Sequence, residues 1–251
     1  MKLKNKRFLI TGAAQGIGYA ICERFLSEGA SIAMIDRNGA TLEAAAAKLR
    51  AAGNVFPFAA DVSDEAGIGA AVVAACEAMG GCDGVVNCAG VDLLKPFEET
   101  SRAEWDRTFA VNLTGPFLVC QAALPALKRR GGSIVNIASA AGLRPLVNRT
   151  GYCATKAGLV MFTKALSIDL SGYNIRANVL CPGITDTPQF RAEFENEPDP
   201  EAELASIISM YQIKRIASPH ELAAAALFLA SDESSYITGA ALAADGGRSF
   251  H

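Results

Sequence analysis

The sequence predicts an α/β protein in which one doubly wound parallel β-sheet carries helices on both faces. Short apolar runs alternate regularly with longer amphipathic stretches along the chain. The short runs are apolar throughout, as strands are when helices cover both faces of a parallel sheet. A glycine-rich turn follows the first run, at the point where a strand would lead into a helix.

Seven strands and six helices are predicted in turn. The strands are predicted at residues 7–11, 31–36, 55–59, 84–87, 133–138, 175–180 and 240–243. The helices are predicted at residues 17–28, 40–52, 64–79, 102–129, 152–171 and 219–230. The last helix has a marked start, because Ser218, Pro219 and Glu221 combine a capping serine, a first-turn proline and a capping-box glutamate. Residues 186–215 are acidic and proline-rich and interrupt the alternation, which predicts a long insertion that forms either a mobile lid or a surface excursion.

Composition excludes several classes of function. The 251 residues, about half of them apolar, are expected to form a single domain over residues 1–251. A net charge of −3 without a dense basic block argues against nucleic-acid binding. The apolar run at residues 8–10 is too short for a signal-peptide core, and no run approaches the ~18 residues of a membrane helix. We therefore expect a cytoplasmic protein without a membrane partner.

Cysteine and histidine usage argues against a metal site. The seven cysteines contain no CxxC pair, and the histidines are only His220 and His251. Free thiols in a reducing compartment are therefore expected. No Cys/His spacing suits zinc, so we expect neither a metal nor a catalytic histidine.

The glycine-rich turn TGAAQGIG at residues 11–18 is the first candidate for a binding site. Its spacing differs from the dinucleotide fingerprint GxGxxG, but it has the same strand–turn–helix context. Glycines allow a pyrophosphate to approach the backbone, and the helix N-terminus supplies amides and partial positive charge. The alternative is an ordinary tight turn.

Asp36 ends the second predicted strand and bears on the choice of nucleotide. An acid at this point accepts hydrogen bonds from the adenosine ribose and repels a 2′-phosphate. Alternatively, Asp36 is a solvated carboxylate, and the neighbouring Arg37 would suit a 2′-phosphate. The residues therefore favour NAD as the cofactor, with NADP possible.

Tyr152 and Lys156 lie four residues apart, on one face of a predicted helix. A tyrosine has an ordinary pKa near 10, and a neighbouring ammonium is expected to lower it toward the range useful for a general base. Alone, the pair would equally suit a helix surface. Ser139, at the end of the fifth predicted strand, could supply a second hydroxyl to a substrate oxygen.

Together these motifs resemble those of the classical short-chain dehydrogenase/reductase family over essentially the whole chain. TGAAQGIG fits the family's TGxxxGxG loop, and Tyr152 and Lys156 fit its YxxxK motif. The further motifs that carry the resemblance are Asp61-Val62, NCAG at residues 87–90 with Cys88 for an asparagine, Asn112 in VNLTG, Ser139, PGITDT at residues 182–187 with Thr185 for an apolar residue, and YITGAALAADGG at residues 236–247.

The resemblance implies a Rossmann-like fold, a homotetramer and a set of site residues. The dinucleotide-binding part would span roughly residues 1–130, and the catalytic and substrate part roughly residues 131–251. The catalytic residues would be Asn112, Ser139, Tyr152 and Lys156, with Asn112 binding a water that relays protons from Lys156. The cofactor-binding residues would be Gly12, Gln15, Gly16, Ile17, Gly18, Asp36, Arg37, Asp61, Val62, Asn87, Ala89, Gly90, Tyr152, Lys156, Pro182, Gly183, Thr185 and Thr187.

The expected activity is that of an NAD(P)-dependent oxidoreductase that interconverts a secondary alcohol and a ketone. Tyr152 would be the general acid/base. The alternatives are a catalytically idle NAD-binding sensor or scaffold, and epimerase or dehydratase chemistry on the same fold. The candidate substrate residues are Asp92, Ala141, Arg144, Asn148, Arg149 and Phe190. The polar members favour a hydroxylated or acidic small molecule, whereas Phe190 and the apolar residues after it would suit a hydrophobic ketone.

Overall fold

The computed structural model describes residues 1–194 and 198–250, and within them seven strands form one parallel sheet. The strands are β1 (Arg7–Thr11), β2 (Ser31–Asp36), β3 (Val55–Ala59), β4 (Gly84–Asn87), β5 (Gly132–Ile137), β6 (Ile175–Pro182) and β7 (Ala241–Ala244). Their order is β3-β2-β1-β4-β5-β6-β7. Each predicted strand is confirmed within two residues at either end, and the predicted fold class is confirmed.

Nine helices are described. They are α1 (Gly16–Ser27), α2 (Gly39–Leu49), α3 (Glu65–Ala78), α4 (Arg102–Phe109), α5 (Gly115–Leu127), α6 (Thr150–Asp169), α7 (Pro188–Ala192), α8 (Pro200–Ser209) and α9 (Pro219–Ala230). The single helix predicted at residues 102–129 is interrupted, because a π-helical turn at Ala110–Thr114 separates α4 from α5. The capping box predicted at the start of α9 is confirmed.

The sheet winds in two directions from its centre. β1 pairs with β2 on one side and with β4 on the other. The connections therefore leave β1 and β4 toward opposite ends of the sheet, which opens a crevice beyond the carboxyl ends of these two strands.

Both faces of the sheet are buried, as the apolar strands predict. On β1, Phe8 and Ile10 join the core cluster under α1, α2 and α9, whereas Leu9 between them joins the cluster under α3 and α5. This alternation follows from the two-residue repeat of a strand. Both layers of the sheet are therefore apolar cores.

One helical segment, Arg102–Leu127, is long and apolar enough to cross a membrane by length and composition alone. Its most apolar stretch is 56% buried inside the protein. Leu118, Val119 and Ala123 of α5 lie in the same core cluster as Val72 and Ala75 of α3. The segment therefore packs as a core helix of this protein.

The insertion at residues 186–215 contains α7 and α8 and is anchored at its base. The backbone amide of Asp186 donates to the carbonyl of Ala217, and the amide of Ala217 donates to the carbonyl of Ile184. Thr187 caps α7 by accepting a hydrogen bond from the amide of Phe190 at 3.2 Å. Residues 195–197 of the predicted lid and the C-terminal residue lie outside the described part of the chain.

Candidate active site

A cleft of about 570 Å³ opens at the carboxyl edge of the sheet. Most of the predicted site residues line it. They are Gly12, Gln15, Gly16, Ile17, Gly18, Asp36, Arg37, Asp61, Val62, Ala89, Gly90, Asp92, Ser139, Ala141, Arg149, Tyr152, Lys156, Pro182, Gly183, Thr185, Thr187 and Phe190. Asn87, Asn112, Arg144 and Asn148 lie behind the cleft wall or away from it.

The glycine turn forms a close-fitting cradle at one end of the cleft. Gly12 has a φ of 63°, and a Cβ there would lie 2.8 Å from the backbone of Ala89. A Cβ at Gly18 would overlap the carbonyl oxygen of Gly12. The N-terminus of α1 follows at Gly16, and Gln15 before it makes no capping side-chain hydrogen bond to the described residues. The first amides of α1 are therefore free to bind an anionic group such as a pyrophosphate.

Asp36 is held rigidly at the end of β2. Its Oδ2 accepts a hydrogen bond from the amide of Ala14 at 3.1 Å, and its Oδ1 accepts one from the amide of Asn38 at 3.1 Å. The carboxylate thereby connects the glycine turn to the start of α2. Arg37, next along the chain, is exposed at the rim of the cleft.

The loop after β4 is fastened to the end of β1. The Thr11 hydroxyl accepts hydrogen bonds from the amides of Cys88 and Ala89, both at 3.1 Å. Burial raises the pKa of the Cys88 thiol to about 12, which favours the protonated thiol at neutral pH. Asn87 points into the interior, where its Nδ2 donates to Asn136 Oδ1 at 2.8 Å.

Asn112 lies in the π-helical turn and is fully buried. Its side chain is hydrogen-bonded to Val91 in the loop after β4 and to Thr155 on α6. The side-chain amide of Asn112 therefore connects the loop after β4 to α6. A proton relay at this position would have to use the backbone carbonyl of Asn112 or the one remaining lone pair of Oδ1.

Ser139, Tyr152 and Lys156 meet where β5 and α6 border the cleft. Lys156 Nζ donates to the carbonyl of Ile137 at 3.0 Å and lies 5.6 Å from the ring centre of Tyr152. Burial lowers the pKa of Lys156 to about 8. Ser139 Oγ accepts a hydrogen bond from the amide of Ala141 at 3.1 Å, which fixes the hydroxyl at the end of β5.

The pKa of Tyr152 shifts in the direction opposite to the one expected from the sequence. Burial raises it well above its ordinary value, and the negative charge of Asp92 adds to the rise. The Ser139 hydroxyl and the charge of Arg149 lower it, but by less. In the protein alone, desolvation and the carboxylate of Asp92, which comes from another loop, outweigh the nearby positive charges.

Two carboxylates hold Arg149 at the far end of the cleft. Arg149 Nε donates to Asp92 Oδ2 at 2.8 Å, and its Nη2 donates to Glu193 Oε2 at 2.6 Å. Burial raises the pKa of Glu193. Glu193 follows α7, so these contacts join the insertion to the loops after β4 and β5. Sequence reasoning singled out Asp92 and Arg149 but missed Glu193, whose only signal was its place in an acidic insertion.

The remaining predicted substrate residues have local structural contacts. Arg144 Nη1 donates to the carbonyl of Arg248 at 3.3 Å. Asn148 is exposed with a φ of 54°, and its carbonyl accepts from the amide of Lys95 at 2.7 Å. Sequence reasoning also missed Tyr211 and Arg248, which line the cleft. In the described part of the chain, no three His, Cys, Asp or Glu side chains come together as metal ligands would.

Three features meet at one edge of the sheet: an anion cradle, a carboxylate at the end of β2 and a tyrosine beside a lysine. This combination is typical of a dinucleotide-dependent oxidoreductase. Comparisons with known proteins support this class. The family model described as enoyl-(acyl carrier protein) reductase matches residues 12–249.

Relatives and solved structures match nearly the whole chain. The chain is 40% identical over 249 residues to 2-(S)-hydroxypropyl-CoM dehydrogenase 3 of Xanthobacter autotrophicus, covering 98% of this chain and 97% of that protein. It is 41% identical over 248 residues to D-threitol dehydrogenase of Mycolicibacterium smegmatis, covering 98% and 94%. The structure of 3-ketoacyl-(acyl-carrier-protein) reductase from Brucella melitensis complexed with NADH superimposes with a TM-score of 0.90 at 36% identity, covering 98% and 99%.

The chain belongs to the short-chain dehydrogenase/reductase family. The predicted activity class, an NAD(P)-dependent oxidoreductase that interconverts alcohols and ketones, is confirmed at this level.

Proposed function

We propose that this protein oxidises a small, polar secondary alcohol to the ketone with NAD, using Tyr152 as the general base. The observation that carries the proposal is the meeting of Ser139, Tyr152 and Lys156 on one wall of a cleft whose opposite end is an anion cradle. The dehydrogenase relatives, one named for a hydroxypropyl compound and one for threitol, support an alcohol as the substrate.

The residues along the cleft suit a dinucleotide. The tight turn requires glycine at positions 12 and 18, because a Cβ at either would collide with the backbone. Such a turn would let a pyrophosphate approach the backbone amides at the start of α1. Asp36 would accept hydrogen bonds from the adenosine ribose, and its charge would repel the 2′-phosphate of NADP. The relative bound to NADH supports this choice. Pro182, Gly183, Thr185 and Thr187 would hold the nicotinamide end, where bound NAD supplies the hydride acceptor and a positive charge.

The proton chemistry rests on the side chains at the end of β5 and on α6. Tyr152, as the tyrosinate, takes the proton of the substrate hydroxyl, while the hydrogen on the same carbon leaves with its bonding electrons as hydride, for which bound NAD would be the acceptor. Ser139 donates a hydrogen bond to the same substrate oxygen and keeps it in place. Lys156 stabilises the tyrosinate by its charge, against the burial that raises the pKa of Tyr152. Asn112 would assist as the relay residue through its backbone carbonyl.

The family resemblance also supports a homotetramer in the cytoplasm. Residues 1–130 would bind most of the dinucleotide and residues 131–251 would supply catalysis and substrate recognition, within a single domain. The insertion at residues 186–215 would act as the lid, because Phe190 and Glu193 line the cleft and Glu193 contacts Arg149 across it.

A panel of secondary alcohols tested with NAD and with NADP examines the proposal directly. Build-up of reduced nicotinamide in equal amount to the ketone, faster with NAD, is the expected result. Cofactor binding without turnover across the panel would instead favour an idle sensor. Conversion of a substrate without net cofactor reduction would favour epimerase or dehydratase chemistry.

A further inference from the structure

Arg248 lines the cleft, as Arg149 does. It follows the glycine pair after β7 and is only 8% exposed. It lines the cleft beside Met210 and Tyr211. The charges of Arg248 and Arg149 both lower the pKa of Tyr211, although burial raises that pKa overall, so the two arginines approach the same phenol from different loops.

Arg248 has no acceptor of its own among residues 1–194 and 198–250. Its Nε is buried and makes no hydrogen bond, and its Nη2 has only a 4.0 Å contact with the thioether of Met210. The carboxylate nearest in sequence, Asp245, instead accepts hydrogen bonds from the backbone amides of Gly247 and Ser249 at 3.0 and 2.9 Å. Burying the Nε–H donor without an acceptor is costly, and the guanidinium has further N–H donors that a ligand could engage.

Arg149 provides the contrast within the same cleft. It is 17% exposed and forms ion pairs with two carboxylates, those of Asp92 and Glu193. Both acids are therefore held by Arg149. Among residues 1–194 and 198–250, no carboxylate forms an ion pair with Arg248.

We propose that Arg248 binds an anionic group of the substrate, such as a carboxylate or a sulfonate, so that the enzyme acts on secondary alcohols that also carry a negative charge. The inference rests on the proposed alcohol dehydrogenase function and specifies its substrate class. Arginine suits this role because its planar fork forms two parallel hydrogen bonds with such a group. Asp92 and Glu193, which Arg149 holds, also line the cleft, and their negative charges would repel an anion placed beside them.

Matched pairs of acids and amides test the substrate class. We would measure kcat/KM for lactate, 3-hydroxybutyrate and 4-hydroxyvalerate and for the corresponding amides, which keep the shape but lose the charge. The series varies the distance between the hydroxyl and the charge. In the wild type, at least one acid is expected to exceed its amide. In Arg248→Met the acid-to-amide ratio of kcat/KM should fall by about 10- to 100-fold, because one charge-assisted hydrogen-bonded pair is lost. Arg248→Lys should restore part of this ratio.

Two further measurements separate this inference from the proposed function. Arg102→Met removes an exposed arginine on α4 and should leave the ratio unchanged. The KM for NAD should be the same in Arg248→Met and in the wild type. The inference would be overturned if the wild type preferred the amides, or if it oxidised other alcohols but neither series. It would also be overturned if the acid-to-amide ratio of kcat/KM were unaltered in Arg248→Met, or if that variant had a raised KM for NAD. Failure to oxidise any secondary alcohol would instead overturn the proposed function.

Discussion

The side chain of Asn112 binds both backbone groups of Val91. Its Oδ1 accepts from the Val91 amide at 2.9 Å, and its Nδ2 donates to the Val91 carbonyl at 2.9 Å. A further hydrogen bond from Nδ2 reaches Thr155 Oγ1 at 3.2 Å, one turn from Tyr152 on α6. The π-helical turn thus links the loop after β4 to α6.

Asn112→Ala should lower both stability and activity. It leaves two backbone groups and the Thr155 hydroxyl without their partner, so the free energy of unfolding should fall by about 2–4 kcal/mol. Urea denaturation and kcat measure the two effects. Thr155→Val, which removes only the last of these contacts from Asn112, should cost about 1 kcal/mol. An Asn112→Ala variant as stable as the wild type would contradict the role given to this side chain.

Tyr152→Phe should abolish turnover while leaving the cleft intact. The change removes only the hydroxyl, so kcat should fall by about 10²–10⁴-fold, the usual contribution of a general acid/base. NAD titration by fluorescence should give an affinity close to that of the wild type, because the rest of the dinucleotide site is unchanged. Near-normal turnover would exclude Tyr152 as the base.

Asp36→Ala should weaken discrimination between NAD and NADP. The carboxylate would repel the 2′-phosphate and accept ribose hydrogen bonds, so the ratio of kcat/KM values for NAD over NADP should fall by about 10- to 100-fold. Asp36→Asn serves as the matched variant, since it loses the charge but keeps one acceptor oxygen, enough for the amide of either Ala14 or Asn38. A wild type that prefers NADP would refute the assignment before any variant is made.

Gly18→Ala should damage the cradle. The added methyl group would overlap the carbonyl oxygen of Gly12, so the turn must shift, at a cost of about 1–3 kcal/mol in stability and with a raised KM for NAD. Gly69→Ala is the control, because nothing lies within 4 Å of the added methyl group on α3. That variant should gain up to about 1 kcal/mol from helix propensity and keep its KM. Equal behaviour of the two variants would argue against a close-packed turn.

Lys156 should make stability rise with pH in the alkaline range. Its pKa is lowered by burial from the ordinary 10.5 to about 8, so between these values the unfolded chain binds a proton that the folded chain does not. The free energy of unfolding of the wild type, relative to Lys156→Met, should therefore increase by about 3 kcal/mol from pH 8 to 10.5 and stay level below pH 8. Urea denaturation across this range provides the measurement.

The exposed Lys164 on the same helix supplies the control for the pH series. Lys164→Met retains the buried amine of Lys156. Its free energy of unfolding, relative to that of Lys156→Met, should therefore rise with pH as that of the wild type does. A difference between wild type and Lys156→Met that does not change with pH would mean that Lys156 stays protonated in the fold.

The parts of the structure that local pattern determines were predictable. The strands follow from short apolar runs, and the glycine turn and the tyrosine–lysine pair are each contained in a few consecutive residues. The π-helical turn was not predictable, since the apolar character of residues 102–129 continues across it and only the fold imposes the extra residue per turn. The pairing of Arg149 with Asp92 and Glu193 joins positions 57 and 44 residues away, and local spacing carries no information about such contacts.

The pKa of Tyr152 illustrates the same limit. The sequence shows the lysine one turn away, but not how deeply the phenol is buried or that Asp92 lies nearby. Arg248 is a second case. Its sequence context, two glycines at the end of the last strand, resembles a surface turn, and only the folded structure brings its guanidinium to the cleft.

The central place of β1 in the sheet has a consequence for the order of folding. Its neighbours are β2, which begins at Ser31, and β4, whose Gly84 pairs with Phe8 across 76 positions of the chain. During synthesis, β1 through β4 and the glycine turn emerge before Ser139, Tyr152 or Lys156 has been made. The part of the cleft formed by β1, β2 and β4 can therefore assemble first and serve as the template onto which β5, β6 and β7 are added in sequence order.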